Sequence, residues 1–308
     1  MSVSARLAPT STPTLRPTTL IPVQDWRPAG IEDLEPAAWG ALRDTGNVAV
    51  VAGPGAGKTE FLAQRAAYLL QTGLCPWPQH ILAISFKRDA AANLSRRVVA
   101  RVPDHASRFA SMTFDAFTKG LVDRFAPALP PDWRMSHGYD IRMAPDSEVR
   151  AFLDTVAFSA TQTLAGQLGF QPGRFVSDIV GGWNLPESVT TDSAIDAVSY
   201  AVREWWRARY LRPGKAEVDF VMLNRLAELL VRAVPKLRRA LRMTYPIVFV
   251  DEFQDTTRPR DWPDGWPSLA ASDVGSVRGA LVEERLWFSV LGPVRAWRGE
   301  SELELGPP

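Results

Sequence analysis

A glycine-rich stretch has the residue types and the order of a phosphate-binding loop. The stretch reads Ala52-Gly53-Pro54-Gly55-Ala56-Gly57-Lys58-Thr59, between a short apolar run and a helical pattern. In such a loop, backbone N–H groups turn toward phosphate oxygens, the lysine reaches the β- and γ-phosphates, and the hydroxyl binds Mg²⁺. We therefore predict a site for ATP with Mg²⁺ that uses Lys58 and Thr59. The alternative is a glycine-rich turn with a solvated lysine.

Two acidic residues follow another apolar run, Ile247–Val250. Ligands of open α/β sheets bind at the carboxyl ends of the strands, so acids at this position are suited to phosphate chemistry. Asp251 would hold Mg²⁺, while Glu252 would orient and deprotonate the water that attacks the γ-phosphate. Taken alone, the pair is also compatible with a solvated strand end, an interpretation that the phosphate loop disfavours.

The apolar spacing predicts strands alternating with helices around these acids and the loop. Strands are predicted at Val48–Val51 and Ile81–Phe86, and helices at Glu60–Thr72, ending before Gly73, and around Ala90–Val102. This alternation predicts an α/β fold in which a parallel sheet is covered by helices on both faces.

Three other regions have a different texture. Residues 1–32 begin with a Ser/Thr/Pro-rich stretch that predicts a flexible tail. Residues 119–216 are irregular and mostly helical, which indicates an inserted helical subdomain. A long helix near Asp219–Leu241 precedes the carboxylate strand, and Pro235 within it predicts a kink or break.

Composition limits the class of protein without naming a partner. The 308 residues are 46% apolar and 22% charged, as expected for a soluble globular chain, and the formal net charge is +1. A nucleic acid would therefore have to meet local clusters of Lys and Arg. The single cysteine, Cys75, excludes an internal disulfide and fits a reducing compartment, so a cytoplasmic location is expected. Because the sequence contains no apolar run of about 18 to 20 residues, we expect no membrane partner.

Several longer strings are more specific than the single motifs. Besides the phosphate loop they are Ile84-Ser85-Phe86-Lys87-Arg88-Asp89-Ala90-Ala91, Thr113-Phe114-Asp115-Ala116-Phe117, Val218-Asp219-Phe220 and Asp251-Glu252-Phe253-Gln254-Asp255. In this order, over about residues 34–257, the set resembles the ATP-binding half of the UvrD/Rep-like superfamily 1 DNA helicases. The resemblance implies a RecA-like ATP-binding domain made of residues 33–118 and 217–257, interrupted by the helical subdomain.

The resemblance also implies roles for individual residues. Lys58, Glu252 and Gln254 would act in ATP hydrolysis. Phe86 would stack on a base of single-stranded DNA, a contact that tolerates any sequence. The remaining implied DNA contacts are Ser85, Lys87, Thr113 and Phe114. The expected partners are single-stranded DNA and 3′-tailed duplex DNA, and the resemblance identifies no protein partner. The alternative for Phe86 is a position at the end of the strand core.

A basic stripe accompanies the second string. Against the single acid Asp89, it contains Lys87, Arg88, Arg96, Arg97 and Arg101. Clustered basic residues of this kind suit phosphate contacts, although a solvated helix face has the same composition.

The sequence departs from the family at three places. Ala38 occupies the position of a glutamine that reads adenine, and Asp115 that of a common histidine. Residues 258–308 lack the Gly-Asp-x-x-Gln motif that would follow, and they stay unassigned: a truncated gene, an out-of-frame tail or a divergent natural end would each explain them. We therefore expect an ATP-hydrolysing helicase portion that is incomplete as a motor. The alternative is a non-catalytic, nucleotide-switched module that binds DNA or protein.

Overall fold

The computed structural model describes residues 19–48, 50, 57–159, 162–163, 171–186, 188, 197–251, 296–298 and 301–303. The first half contains α1 (Pro36–Arg43), α2 (Lys58–Gln71), β1 (Ile81–Ser85), α3 (Arg88–Arg101), a 3₁₀ helix (Pro103–Arg108), β2 (Phe109–Thr113) and α4 (Phe114–Phe125).

The second half is richer in short elements. It contains 3₁₀ turns (Ala126–Ala128 and Pro131–Trp133), β3 (Tyr139–Ile141), α5 (Asp146–Thr155), β4 (Ala157–Ser159), β5 (Gln162–Thr163), a short helix (Pro172–Arg174) continued by a π-helix (Phe175–Val180), α6 (Ala197–Arg209), β6 (Ala216–Val218), α7 (Phe220–Ala233), α8 (Pro235–Thr244), β7 (Ile247–Val250), β8 (Ala296–Arg298) and β9 (Ser301–Leu303). No helix among the described residues is long and apolar enough to cross a membrane.

A parallel sheet with the order β2-β1-β7 carries the architecture. Its central strand β1 is buried at every residue. Successive side chains of a strand point to opposite faces, so this burial means that both faces of β1 are covered. The prediction of an α/β fold with helices on both faces of a parallel sheet is confirmed. Three further strand pairs are small: β3 and β6 are parallel, whereas β4 with β5 and β8 with β9 are antiparallel.

One apolar cluster packs helices against a single face of this sheet. Helices α1, α2 and α3 contribute Leu42, Leu70 and Leu94, while the sheet contributes Ile81, Ala83, Phe109 and Phe249. Helix α2 ends at Gln71, and Gly73, two residues later, has a left-handed φ of 76°. This is the glycine that the sequence predicts at the end of the helix, because a side chain is disfavoured in that conformation.

A second apolar cluster lies among the helices that follow β2. It runs from Leu121 on α4 to Leu241 on α8, and it includes Trp205 and Trp206 as fully buried side chains. Helices α7 and α8 contribute to this cluster although the predicted ranges assign them to the ATP-binding domain, and the domain boundaries stay a prediction. Helix α7 ends at Ala233 and α8 begins at Pro235, so the predicted break is confirmed.

Two predictions about the N-terminal region are wrong in part. Val48 and Val50 lie outside the sheet and are 38% and 41% exposed, not buried in a strand. Neither residue is paired with a strand of the sheet β2-β1-β7, and strand propensity depends on packing against such neighbours. Ala49 and Val51 of the predicted strand lie outside the described residues. Residues 19–32 of the predicted flexible tail pack on α2. Their Trp26 is 1% exposed and donates a hydrogen bond from its indole N–H to Gln71.

Replacement of Trp26 by alanine should show that this segment belongs to the fold. The ring packs edge-on against Tyr68 with centroids 5.3 Å apart, and emptying such a site costs about 3–5 kcal/mol. Trp77, which is 74% exposed, provides a matched control, and its replacement should change stability by less than about 0.5 kcal/mol. Urea unfolding measures both. Equal midpoints for the two variants would mean that residues 19–32 are dispensable.

Candidate functional site

The three parallel strands end side by side at one edge of the sheet. Ser85, the last residue of β1, is paired in register with Thr113, the last residue of β2. On the other side Ile84 is paired with Val250, and the N–H of Asp251 donates a hydrogen bond of 2.9 Å to the Ile84 carbonyl. Thr113, Ser85 and Asp251 therefore lie abreast at the carboxyl edge, where open α/β sheets bind ligands.

These edge residues face α2 and α3. Ile81 and Ala83, which alternate with Ser85 along β1, belong to the cluster that includes those helices. Phe249 belongs to the same cluster, and Asp251 lies two residues beyond it on the same side of the alternation. An independent contact agrees, since the hydroxyl of Ser111 on β2 donates 2.9 Å to the carbonyl of Ala91 on α3. The carboxylate of Asp251 and helix α2 thus share one face of the sheet.

The described end of the predicted phosphate loop leads directly into a helix. Gly57 is left-handed with φ 76°, and α2 begins directly after it at Lys58, with no side-chain cap at its N-terminus. Lys58 and Thr59 are both half-buried. The other loop residues, Ala52–Ala56, lie outside the described residues, as do the predicted catalytic side chains Glu252 and Gln254.

The first turn of α2 contains an acid that two arginines compensate. Arg97 and Arg101, both on α3, form ion pairs of 2.7 and 2.9 Å with Glu60, and Gln64 donates a further hydrogen bond at 2.8 Å. Burial alone would raise the pKa of Glu60, but the hydrogen bonds from Arg101, Gln64 and Arg97 outweigh it and lower this pKa. The carboxylate therefore stays charged and paired. The two arginines would offset its repulsion of any phosphate at the start of α2.

This ion-pair group changes the interpretation of the basic stripe. Two of the five basic residues, Arg97 and Arg101, are engaged with Glu60 and anchor α2 to α3. Lys87, Arg88 and Arg96 are exposed and form no ion pair with another described residue. The basic surface available to a phosphate backbone is accordingly smaller than the sequence suggests, and two of its three residues, Lys87 and Arg88, lie at the start of α3.

The residues predicted to contact DNA follow the ends of β1 and β2. Phe86 and Phe114 are half-buried, and Lys87 is exposed. Phe86 belongs to neither apolar cluster, but the same is true of Leu82 and Ile84, which precede it on the same face of β1 and are fully buried. Both interpretations of Phe86, a DNA contact and the end of the strand core, therefore stay predictions. Thr113 is half-buried and caps α4 by accepting a hydrogen bond from the N–H of Ala116 at 3.2 Å. Ser85 differs from these four residues because its side chain is buried.

A polar bridge behind this edge was not predicted. The Asn224 amide on α7 donates to the Asp115 carboxylate at 3.4 Å, and the Thr118 hydroxyl donates to the Asn224 carbonyl oxygen at 2.6 Å. Asp115 therefore has a structural partner at the position where the family has a histidine. The capping role of Thr113 had a local signal, a threonine before a helical pattern. The Asn224 partner of Asp115 and the two arginine partners of Glu60 had none, since they are far away in sequence.

Comparison with known proteins agrees with this geometry. The model of the UvrD/REP helicase N-terminal domain matches residues 34–260. The chain belongs to the UvrD/REP helicase family. The chain is 28% identical over 219 residues to the ATP-dependent DNA helicase UvrD1 of Mycobacterium leprae, covering 67% of this chain and 26% of the relative. It is also similar to DNA helicase II of Escherichia coli, with 26% identity over 239 residues, 75% of this chain and 31% of the relative.

A third relative gives the same picture. The ATP-dependent DNA helicase PcrA of Staphylococcus aureus is 24% identical over 221 residues, which are 69% of this chain and 28% of the relative. The chain thus spans about a third or less of the length of these UvrD/REP helicases. The resemblance inferred from the motifs is confirmed, and the matched part is the N-terminal domain of the family.

Replacement of Glu60 by glutamine should loosen α2 from α3. A charged hydrogen-bonded partner of this kind contributes roughly 1.5–3 kcal/mol, and we expect a loss of that size in urea unfolding at pH 7. The pKa of Glu60 is lowered by folding, so its contribution is present above the ordinary glutamate pKa of about 4.3 and disappears as pH falls through the lowered value. The difference between wild type and Glu60→Gln should therefore shrink in acid.

The control for this prediction is Asp154→Asn. Asp154 is exposed on α5 and has no ion pair with another described residue, so its replacement should be nearly neutral at every pH. A Glu60→Gln variant as stable as wild type at pH 7 would show that the ion pairs do not hold the two helices together.

Proposed function

We propose that the chain binds ATP with Mg²⁺ at the start of α2 and at Asp251, and that it binds single-stranded DNA at the neighbouring strand ends, as the ATPase portion of a DNA helicase. One observation carries the proposal. Asp251, Ser85 and Thr113 are abreast on hydrogen-bonded strands, and Phe86 and Phe114 directly follow two of them. A shift of β7 relative to β1 would therefore displace the residues that follow β1.

The residues at the nucleotide side fit a magnesium nucleotide. Gly57 has the left-handed turn that precedes a helix start, and the acid in the first turn of α2 is compensated by two arginines. Thr59 and Asp251 supply the oxygen ligands that Mg²⁺ prefers, and Lys58 supplies a positive charge for the β- and γ-phosphates. ATP supplies the transferable γ-phosphoryl group. In the proposal, Glu252 orients the attacking water and Gln254 acts beside it.

The residues at the DNA side fit an unstacked strand. Phe86 offers a half-buried ring directly after β1, and exposed Lys87 lies next to it. A stacking ring beside a cation binds bases without sequence preference, as a motor that moves along DNA requires. Thr113 and Phe114 extend the contact along the edge of the sheet. A 3′-tailed duplex presents such a strand next to base pairs, and we propose it as the substrate of the whole motor.

Phosphate release distinguishes the proposal from its alternative. ATP turnover that rises on addition of oligo-dT would support the ATPase assignment. Binding of ATP and of oligo-dT without turnover would favour the non-catalytic, nucleotide-switched module instead.

Replacement of Lys58 by alanine should weaken the binding of ATP with Mg²⁺. Loss of a charged hydrogen bond to phosphate corresponds to about a 10- to 100-fold change in affinity, which titration calorimetry measures. Lys236→Ala is the matched control, because Lys236 is exposed on α8 and removes the same charge elsewhere. Equal ATP affinities for wild type and Lys58→Ala would contradict the assignment of the phosphate loop.

Replacement of Phe86 by alanine should lower the affinity for oligo-dT by about 1–3 kcal/mol, the usual contribution of one base stacked on an aromatic ring. Fluorescence anisotropy with labelled oligo-dT measures the change. Phe125→Ala is the control, since Phe125 is a 36% exposed ring at the far end of α4. Unchanged binding by a Phe86→Ala protein of normal thermal stability would assign Phe86 to packing.

A further inference from the structure

The side chain of Ser85 is a buried hydroxyl that has no hydrogen-bond partner in the part of the chain that the structure describes. Ser85 is the last residue of β1 and is 1% exposed, and its Oγ makes no hydrogen bond with any described residue. Leaving a buried hydroxyl without a hydrogen bond is unfavourable, so its presence at a sheet edge calls for a physical reason. Burial also separates Ser85 from its neighbours Phe86 and Lys87, which reach solvent.

The strand register identifies what lies beside this hydroxyl. Ser85 shares its face of the sheet with Ala83, which packs toward α2 and α3. Asp251 directly follows Val250, which is paired with Ile84, and the N–H of Asp251 donates a hydrogen bond to the Ile84 carbonyl. Neighbouring strands are about 4.8 Å apart, so Ser85 and Asp251 are adjacent on that face. Thr113, the neighbour on the opposite side, already uses its hydroxyl to cap α4.

Ser111 provides a comparison, because it is a hydroxyl on the same face whose hydrogen bond belongs to the fold. It lies on the same face of β2, two residues before Thr113, and its hydroxyl is bonded to the Ala91 carbonyl of α3. Ser111 is paired with Ala83 on β1, and Ser85 lies two residues beyond Ala83 toward the carboxyl edge. Its hydroxyl has no such backbone acceptor. The hydroxyl is therefore available to a group that arrives at the edge.

We propose that Ser85 is a positioning residue of the nucleotide site and not a DNA contact. When Mg²⁺ and ATP bind, its Oγ–H donates a hydrogen bond to the Asp251 carboxylate and orients the other carboxylate oxygen toward the metal. This inference rests on the proposed function, because it requires that Asp251 holds Mg²⁺. It assigns the residue before Phe86 to the nucleotide and leaves Phe86 and Lys87 to the DNA.

The test compares Ser85→Ala with Ser85→Thr, which retains the hydroxyl, and with the control Ser111→Ala. Calorimetry with ATP, at a series of MgCl₂ concentrations, gives the part of the affinity that depends on Mg²⁺. We expect Ser85→Ala to reduce that part about three- to tenfold, as loss of one hydrogen bond does. Ser85→Thr and Ser111→Ala should leave it unchanged. Oligo-dT affinity should stay within about twofold of wild type for Ser85→Ala and fall for Lys87→Ala.

Thermal unfolding without nucleotide separates this role from packing. Because the Ser85 hydroxyl has no hydrogen-bond partner among the described residues, Ser85→Ala should not lower the midpoint, whereas Ser111→Ala should. Reduced oligo-dT binding with unchanged Mg²⁺ dependence would overturn the inference and make Ser85 a DNA contact. If wild type binds ATP with Mg²⁺ and Ser85→Ala shows the same Mg²⁺ dependence, the inference about Ser85 is overturned and the proposed function stands. Absence of such binding by wild type would overturn the proposed function as well.

Discussion

Strand β1 is buried on both faces and hydrogen-bonded to a parallel neighbour along each edge, and the candidate site depends on that position. The ladders fix the register of β2 and β7, so the last residues of three strands meet at one edge although they are far apart in the chain. Alternation along each strand then decides the face to which every edge side chain points. Asp251 faces α2 for this reason, because it is two residues beyond the buried ring of Phe249.

Charge balance is the second constraint on this site. A carboxylate in the first turn of α2 would oppose phosphate binding, yet Glu60 is retained between Arg97 and Arg101. The same three side chains hold α2 against α3. The Arg101 guanidinium also lies against Gly30, where a β-carbon would come within 2.5 Å of it. Residues that do not touch a nucleotide thus fix the helix that would bind one, and they connect it to the segment that contains Trp26.

The two apolar clusters are joined through α4. This helix starts at the residue after β2 and is capped by Thr113. Its Leu121 and Val122 belong to the second apolar cluster. Asp115 and Thr118 meet Asn224 of α7 through the polar bridge. The carboxyl edge of β2 is therefore connected to α7 by a helix and not by a loop.

The sequence by itself determined the features that depend on near neighbours in the chain. These are the alternation of strands and helices, the glycine turn into α2, the acid after β7, the break at Pro235 and the family itself. The tertiary structure decided which of these residues meet. Glu60 pairs with arginines 37 and 41 positions away, Trp26 is buried by α2, and Val48 and Val50 are left without a strand partner. Ser85, similar to its neighbours by motif, is separated from them by burial, because β1 ends at Ser85 and Phe86 and Lys87 lie beyond the sheet.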